Sequence, residues 1–319
     1  MADFQQTIQK KVSISGIGLH TGLESTATFK PADIDTGIRF VRTDLEEFPS
    51  VLADIDHVVD ISRGTTLAEN GHRVHTVEHI LAAASGLGID NLLVEISAKE
   101  PPVMDGSAGP FVEALLKAGP KEQRASRRVL VIDRTVSYSD PSKNIDMHVL
   151  PSETFRVTFT MDYHHLSRNG IQFMSVYSMA EDFVERIAPA RTFCLFSEVA
   201  KLKEMGLAKG GSMENALVFV DRPIAPDEIE HLKALFSIKG ELAPGEEGLL
   251  KGQKLRFENE AVRHKILDLI GDLSLLGMPI QGHVIATRSG HASNVELVKR
   301  LKQIYGKRMD RKREASASG

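Results

Sequence analysis

The chain has 319 residues, of which 42% are hydrophobic, and its formal net charge is −4. This length and apolar content allow two globular domains, and the small net charge argues against a nucleic-acid-binding protein. The single cysteine, Cys194, excludes an intramolecular disulfide, which fits a reducing cytoplasm. The N-terminal residues lack the pattern of a signal peptide, and no apolar run reaches the roughly 18 residues of a membrane span. We therefore expect a soluble, cytoplasmic protein without a transmembrane segment.

Residues 1–122 predict a first domain in which several strands accompany two helices. Apolar and polar residues alternate in VSISG, STATFKP and GIRFVRTD, the pattern of half-buried strands. A helix is predicted from about Thr76 to Ser85, followed by an apolar strand at Asn91–Ser97, the turn MDGSAG and the helix PFVEALLKAG. The charged stretch Lys121–Arg128 predicts a linker.

Residues 128–303 predict a second domain that repeats this order. Three predicted strands precede a helical stretch at Arg191–Gly206 and the strand ENALVFV, and a helix at Glu258–Gly277 leads to the strand HVIATRS, the turn GHAS and a final helix. The fold class that this order predicts is α+β, with two similar domains, each a mostly antiparallel sheet layered with helices, and the active site between them. Residues 304–319 predict a basic, flexible tail, for which weak attraction to an anionic membrane face is the alternative role.

Three polar residues, His264, Asp268 and Asp272, stand four apart in RHKILDLIGD and therefore form one stripe on the predicted helix. A stabilising helix ion pair has the acid N-terminal to the base, the reverse of His264 and Asp268, and the two aspartates repel each other. A divalent metal bound by His264 and Asp268 would compensate for both costs. The alternative interpretation is an ordinary exposed polar face.

A third ligand is predicted in HTVEHILAA, where Thr76 suits the N-cap position and Glu78 and His79 fall in the first helical turn. A charged imidazole is unfavourable at a helix N-terminus, so His79 is better explained as a neutral metal ligand. Two histidines and one carboxylate form a known catalytic zinc set, beside which Glu78 would be the general base. Iron(II) suits the same ligands.

His291 lies in the small-residue stretch TRSGHASN. Two interpretations stand side by side: a general acid held by a carboxylate such as Asp272, or a solvated turn histidine. His20 and His283, which also adjoin glycines, are interpreted as structural or peripheral.

Nine stretches together resemble the zinc-dependent UDP-3-O-acyl-N-acetylglucosamine deacetylases of lipid A biosynthesis in Gram-negative bacteria. They are GIGLHTG, TGIRFVRTDL, TVEHILAA, GLGIDN, PPVMDGSAGPF, ARTF, KGGSMENALV, RHKILDLIGDL and SGHASN. The resemblance covers about Gln6 to Lys302. It implies two domains facing one another over the site, one catalytic Zn²⁺ and an acylated UDP-amino sugar as substrate; we further expect a monomer. The alternatives are a metal-dependent amidase acting on another substrate and a non-catalytic scaffold or lipid-binding module.

The resemblance also implies roles for individual residues. The implied metal ligands are His79, His264 and Asp268, and the implied catalytic residues are the base Glu78, the acid His291, its partner Asp272 and the oxyanion-binding Thr192. Lys265 matches a residue that contacts the polar head of the substrate, and Asp105 matches a position linked to activity. The fatty chain is expected to pass Phe193, Val199, Gly211, Ser212, Ala216 and Val218.

The chain departs from the family pattern in three places. Ile61–Leu67 (ISRGTTL) is more polar than usual, so that wall of the acyl passage is expected to differ. Leu150 stands where a basic residue before proline is frequent, so the diphosphate is expected to be held differently. His165 and Leu166 replace the usual His-Pro, a change expected to affect only the backbone.

Overall fold

The computed structural model describes residues 3–163, 170–225, 228–230, 233, 243–245 and 248–317. The α-helices within these ranges are α1 (Glu78–Gly86), α2 (Gly109–Ala118), α3 (Met179–Asp182), α4 (Phe196–Glu204), α5 (Glu260–Ser274) and α6 (His291–Ala317). Short 3₁₀ turns cover Ile55–His57 and Pro141–Lys143, and a π-helical turn covers Phe183–Ile187. Residues His165 and Leu166 lie outside the described ranges.

The strands are distributed over both halves of the chain. Those of the first half are β1 (Phe4–Ile8), β2 (Val12–Ile17), β3 (Glu24–Pro31), β4 (Ile38–Arg42), β5 (Ser50–Leu52), β6 (Val58–Asp60), β7 (Thr66–Glu69), β8 (His72–Val74), β9 (Leu92–Ile96) and β10 (Pro120–Ser126). Those of the second half are β11 (Leu130–Val131), β12 (Val136–Asp140), β13 (Ile145–Leu150), β14 (Arg156–Asp162), β15 (Ile171–Val176), β16 (Phe193–Leu195), β17 (Leu217–Phe219), β18 (Ile280–Gln281) and β19 (His283–Thr287).

Each half contains a five-stranded sheet of the same topology. The strand order is β2-β3-β9-β4-β5 in the first half and β12-β13-β19-β14-β15 in the second. In both sheets the central strand is parallel to one neighbour (β4 or β14) and antiparallel to the other (β3 or β13), and the remaining pairs are antiparallel. The predicted α+β class with two similar, mostly antiparallel sheets is therefore confirmed.

The helices form the layers between these sheets. Helix α2 packs on β2, α5 packs on β14 and β15, and α1 packs on both α2 and α5. The larger hydrophobic core spans both halves, because the buried apolar side chains of α1 meet those of α5. This arrangement brings the N-terminal turn of α1 against the middle of α5, where the polar stripe lies.

Close approach of α1 and α5 depends on a glycine in the second helix. A Cβ atom placed on Gly271 would lie 2.2 Å from the carbonyl oxygen of Glu78, a distance at which one helix would have to move. The glycine therefore allows the backbone of α1 to lie directly on α5. The same contact fixes Glu78 and His79 next to His264, Asp268 and Asp272.

Several boundaries differ from the sequence prediction. The predicted linker Lys121–Arg128 is mostly strand β10, whose alternating exposed residues pair with β1. The helix predicted over Arg191–Gly206 begins only at Phe196, because residues 193–195 pair with β17 as β16. The predicted tail begins inside α6, where Tyr305 is buried and its hydroxyl donates a hydrogen bond to Asp133. Residues 304–317 continue the helix α6, and the flexibility expected of this tail stays a prediction.

The predicted N-cap of the first helix was also wrong. The residue at the cap position of α1 is Val77, which makes no side-chain cap hydrogen bond. Thr76 instead adopts a positive φ of 54° and its hydroxyl donates to the buried carboxylate of Glu100. That carboxylate also accepts the backbone N–H groups of His20 and Thr21, so it ties the His20 loop to the start of α1.

Candidate active site

Three side chains from α1 and α5 converge into a buried cluster. The nearest atoms are 3.3 Å apart for His264 Nε2 and Asp268 Oδ1, and 3.8 Å apart for His79 Nε2 and the same oxygen. One potential ligand atom from each residue lies within 4.8 Å of the other two, which is the spacing needed to bind one metal ion. The structure thus brings together the three predicted ligands from the two halves of the chain.

The protonation of these donors suits a divalent cation. Burial lowers the pKa of His79 to about 3 and also lowers the pKa of His264, so both imidazoles are neutral. His264 Nδ1 donates to the carbonyl oxygen of Ala190 at 3.0 Å, which leaves the lone pair on Nε2, the atom that faces the cluster. Burial opposes ionisation of Asp268, but His264 and Lys265 hold its pKa well below the usual range.

Lys265 orients the carboxylate of Asp268. Its Nζ lies 3.1 Å from Asp268 Oδ2, which leaves Oδ1 directed at the two histidines. The ammonium group also lies 5.6 Å from the centre of the Phe193 ring. Burial works against the charge on Lys265, but Asp268 outweighs burial and raises the pKa of this lysine.

Glu78 is a buried carboxylate beside the cluster. It is 3% exposed, and its Oε2 accepts the backbone N–H of Thr65 at 2.9 Å. Burial raises the pKa of Glu78 to about 7, although the attraction of His291 acts in the opposite direction. A carboxylate with that pKa exchanges protons readily near neutral pH, as a general base requires.

His291 is the first residue of α6 rather than part of an isolated turn. Its Nδ1 lies 2.8 Å from Asp272 Oδ2, and its Nε2 lies 3.9 Å from Glu78 Oε1. Burial would lower the pKa of His291, but the charge and hydrogen bond of Asp272 outweigh burial and raise it to about 10. The ring therefore carries a proton on Nε2 that faces the cluster.

Two residues that the sequence analysis did not identify, Thr65 and Asn294, support the pair formed by His291 and Asp272. The completely buried Asp272 accepts hydrogen bonds from Thr65 Oγ1 at 2.6 Å and from Asn294 Nδ2 at 2.9 Å. Asn294 follows His291 by three residues and so lies on the same helical face, a spacing that could have revealed it. Thr65 gives no comparable signal, because it reaches Asp272 only through the fold.

A cavity of about 410 Å³ adjoins the cluster. Its lining includes the predicted oxyanion-binding Thr192 and each of the predicted substrate-binding residues, Lys265, Phe193, Val199, Gly211, Ser212, Ala216 and Val218. Four further apolar side chains, which the sequence analysis did not single out, also line the cavity: Phe196 and Leu202 of α4, Met213 before β17 and Leu250 after it. The volume is within the range of roughly 300–1,000 Å³ that is typical of small-molecule sites.

Two histidines that were interpreted as structural or peripheral, His20 and His283, differ in whether they line this cavity. His20, which was interpreted as peripheral, lines the cavity, and its ring is held by contacts to Arg63 O and Ala208 N. His283 is in β19, where Nε2 contacts the Thr158 hydroxyl.

Three other predicted features differ in their relation to the cavity: Asp105, Leu150 and the segment Ile61–Leu67. Asp105 pairs with Arg256 at 2.8 Å and accepts from Ser107. Asp105 and Leu150 are both absent from the described cavity lining. The segment Ile61–Leu67 contributes Ser62 and Arg63 to the wall, which is therefore polar at this point. Within the described residues, no helix is long and apolar enough to cross a membrane.

The sequence is similar to known proteins along most of its length. The chain matches the LpxC family, described as UDP-3-O-acyl N-acetylglycosamine deacetylase, over residues 5–233 and 236–303. It is 47% identical over 300 residues to the bifunctional enzyme LpxC/FabZ of Chlorobaculum tepidum, covering 94% of this chain and 64% of that protein. It is 43% identical over 297 residues to the UDP-3-O-acyl-N-acetylglucosamine deacetylase of Myxococcus xanthus, covering 93% and 86% respectively. The chain belongs to the LpxC family of UDP-3-O-acyl-N-acetylglycosamine deacetylases.

Proposed function

We propose that the protein hydrolyses the acetamide of UDP-3-O-(3-hydroxyacyl)-N-acetylglucosamine, giving the free glucosamine amine and acetate, the committed step of lipid A biosynthesis. The observation that carries this proposal is the buried His79, His264 and Asp268 cluster, with Glu78 and His291 beside it, at the end of an apolar cavity. The cavity supports an acylated substrate, since the residues lining it beyond the cluster are mostly apolar.

The donor set supports Zn²⁺ as the metal, held by the two histidines and Asp268, although iron(II) suits these ligands as well. Both imidazoles are neutral, and the carboxylate presents one oxygen because Lys265 engages the other. When bound, the ion supplies Lewis-acid activation of the water and of the amide carbonyl. The chain itself provides the proton transfers and the orientation of the substrate.

Glu78 is proposed as the general base. It accepts a proton from the water whose oxygen forms the new bond to the acetyl carbon. The backbone N–H of Thr65 holds Oε2 in place, which leaves Oε1 toward the reacting atoms and His291. Thr192, which lines the same cavity, donates its hydroxyl to the acetyl oxygen as negative charge develops there. One such donor is typically worth about 3 kcal/mol of transition-state stabilisation.

His291 is proposed as the general acid. Its Nε2 delivers a proton to the amide nitrogen while the carbon–nitrogen bond breaks, so the products are the neutral amine and acetic acid, which loses its proton to solvent to give acetate. Asp272 keeps the imidazole charged and oriented, and Thr65 and Asn294 hold Asp272. A mechanism in which Glu78 serves as both base and acid is the alternative, and the loss of activity in a His291 variant separates the two.

The proposal is tested by measuring acetate release together with metal content, before and after chelation, from the acylated nucleotide sugar and from its unacylated analogue. Glu78→Ala and His291→Ala should each lower turnover by about 10²–10⁴ while the metal stays bound. Near-normal turnover in either variant would remove that residue from its role. Equal rates with both substrates would instead favour a metal-dependent amidase of different specificity.

A further inference from the structure

Arg63 and Glu198 form an ion pair that interrupts the apolar wall of the cavity. Both side chains line the cavity, and Arg63 Nη1 lies 3.4 Å from Glu198 Oε1. The two groups are 33% and 40% exposed, so both are accessible to solvent.

The position of the pair is fixed with respect to the catalytic residues. The carbonyl oxygen of Arg63 contacts His20 Nε2 at 3.2 Å, and two residues later the N–H of Thr65 is bound to Glu78. Two residues of extended chain span at most about 7 Å and the hydrogen bond adds 2.9 Å, so the backbone of Arg63 lies within about 10 Å of the general base. Glu198 is in the first turn of α4, and its carboxylate contacts the N–H of Leu195.

The chemistry of the proposed substrate supplies a partner at this distance. The 3-O-acyl ester is on the sugar carbon next to the acetamide, and a hydroxyl on the third carbon of the chain follows a few bonds later. A plain acyl chain that entered the cavity would strip water from the ion pair and return no hydrogen bond, which carries a desolvation cost. A hydroxyl can accept from the guanidinium and donate to the carboxylate, which restores both contacts.

We infer that Arg63 and Glu198 determine specificity for 3-hydroxyacyl chains by hydrogen-bonding the chain hydroxyl at the start of the apolar passage. This inference rests on the proposed deacetylase function. Glu198 is the ion-pair partner of Arg63 among the described residues and engages Nη1, so the other guanidinium nitrogens can donate to the ligand. Sites that hydrogen-bond a substrate hydroxyl discriminate against analogues without it because their polar groups are then left unpaired.

The experiment compares kcat/KM for two substrates that differ only in the 3-hydroxyl of the acyl chain. We expect the wild-type protein to prefer the hydroxylated substrate by about 10–100-fold, less than a fully buried site would give, because the pair is partly exposed. Arg63→Met, which keeps the chain length and removes the donors, should reduce this ratio to about 3 or less. Glu198→Leu should reduce it in the same direction.

Lys201→Met is the matched control, since this exposed lysine of α4 is not among the residues that line the cavity. It should leave both rates and their ratio unchanged. A wild-type preference that survives in Arg63→Met would overturn the inference, and so would an equal loss on both substrates, which would show a general effect on the cavity wall. No acetate release by the wild-type protein from either substrate would overturn the proposed function itself.

Discussion

Replacement of Asp272 by asparagine tests the proposed acid directly, because it removes the charge that keeps His291 protonated. Asp272 is completely buried, and its interaction with His291 Nδ1 outweighs the burial that would otherwise lower the pKa of the imidazole. Without this carboxylate the largest contribution that raises the pKa of His291 is lost, so this pKa should fall from about 10 towards the ordinary value of 6.5.

The size of the effect follows from the protonated fraction of His291. A general acid is active below its pKa, so the wild-type rate should fall only as pH rises towards 10. With a pKa of 6.5, the protonated fraction at pH 8 is about 3%, which predicts a loss of roughly 30-fold at that pH. A general base is active above its pKa, so Glu78 places the acidic limb of the wild-type profile near pH 7. The plateau of the wild type should therefore become a narrow maximum near pH 7 in Asp272→Asn.

The assay is acetate release under kcat/KM conditions from pH 5 to pH 10.5, since this ratio reports the groups of the free enzyme. A bound divalent cation lowers the pKa values that set both limbs of the pH profile. The result is therefore the difference between the wild type and Asp272→Asn, and not the absolute position of either limb. Asn294→Ala is the matched control, because it removes one hydrogen bond to Asp272 but keeps the charge. An alkaline limb that stays at the wild-type position in Asp272→Asn would refute the assignment of His291 as an acid held by Asp272.

Two further predictions concern the metal and the packing of the helices. Asp268→Ala should lose most of its metal, measured by elemental analysis after dialysis, because the oxygen that faces both histidines is removed; full occupancy would exclude Asp268 as a ligand. Gly271→Ala should lower the free energy of unfolding by about 3 kcal/mol, since the new methyl group meets the Glu78 carbonyl. In the control Gly306→Ala, where a Cβ meets nothing within 4 Å, denaturant unfolding should show no loss of stability.

The sequence predicted the repeated design of the fold because the signals involved are local. Alternation marked the strands of both sheets, and the 3.6-residue period marked α5 within two or three residues of its ends. The boundaries failed where pairing partners are distant in sequence. Strand β10 is polar and exposed on alternate residues, so nothing in it indicates that β1 lies beside it. The helix boundary at residues 193–195 was mispredicted for the same reason, because the pairing of these residues with β17 overrides their helix propensity.

The predictions for the candidate site also succeeded where the sequence signal was local and failed where a contact depends on the fold. The i,i+4 spacing on α5 was sufficient to predict that His264 and Asp268 face one point, and the mismatch of His79 with the helix dipole predicted its neutral form. The support given by Thr65 could not be predicted, since it depends on a loop that crosses from the first half to Asp272 in the second. The cavity role of His20 was missed for a similar reason, because the segment around Ala208 must fold over it.

The polar stripe of α5 is the place where local and global requirements conflict most. Two aspartates and a histidine lie on a helix that is buried on nearly all sides, and local energetics alone would favour apolar residues there. Each group is nevertheless compensated by a partner from another element: His264 by Ala190, Asp268 by the histidines and Lys265, and Asp272 by His291. A buried carboxylate that loses such a partner costs several kcal/mol, so the stripe requires the assembled site. The stability of α5 therefore depends on the contacts that also form the candidate active site, since α1 and α6 must pack correctly before these charges are tolerated in the core.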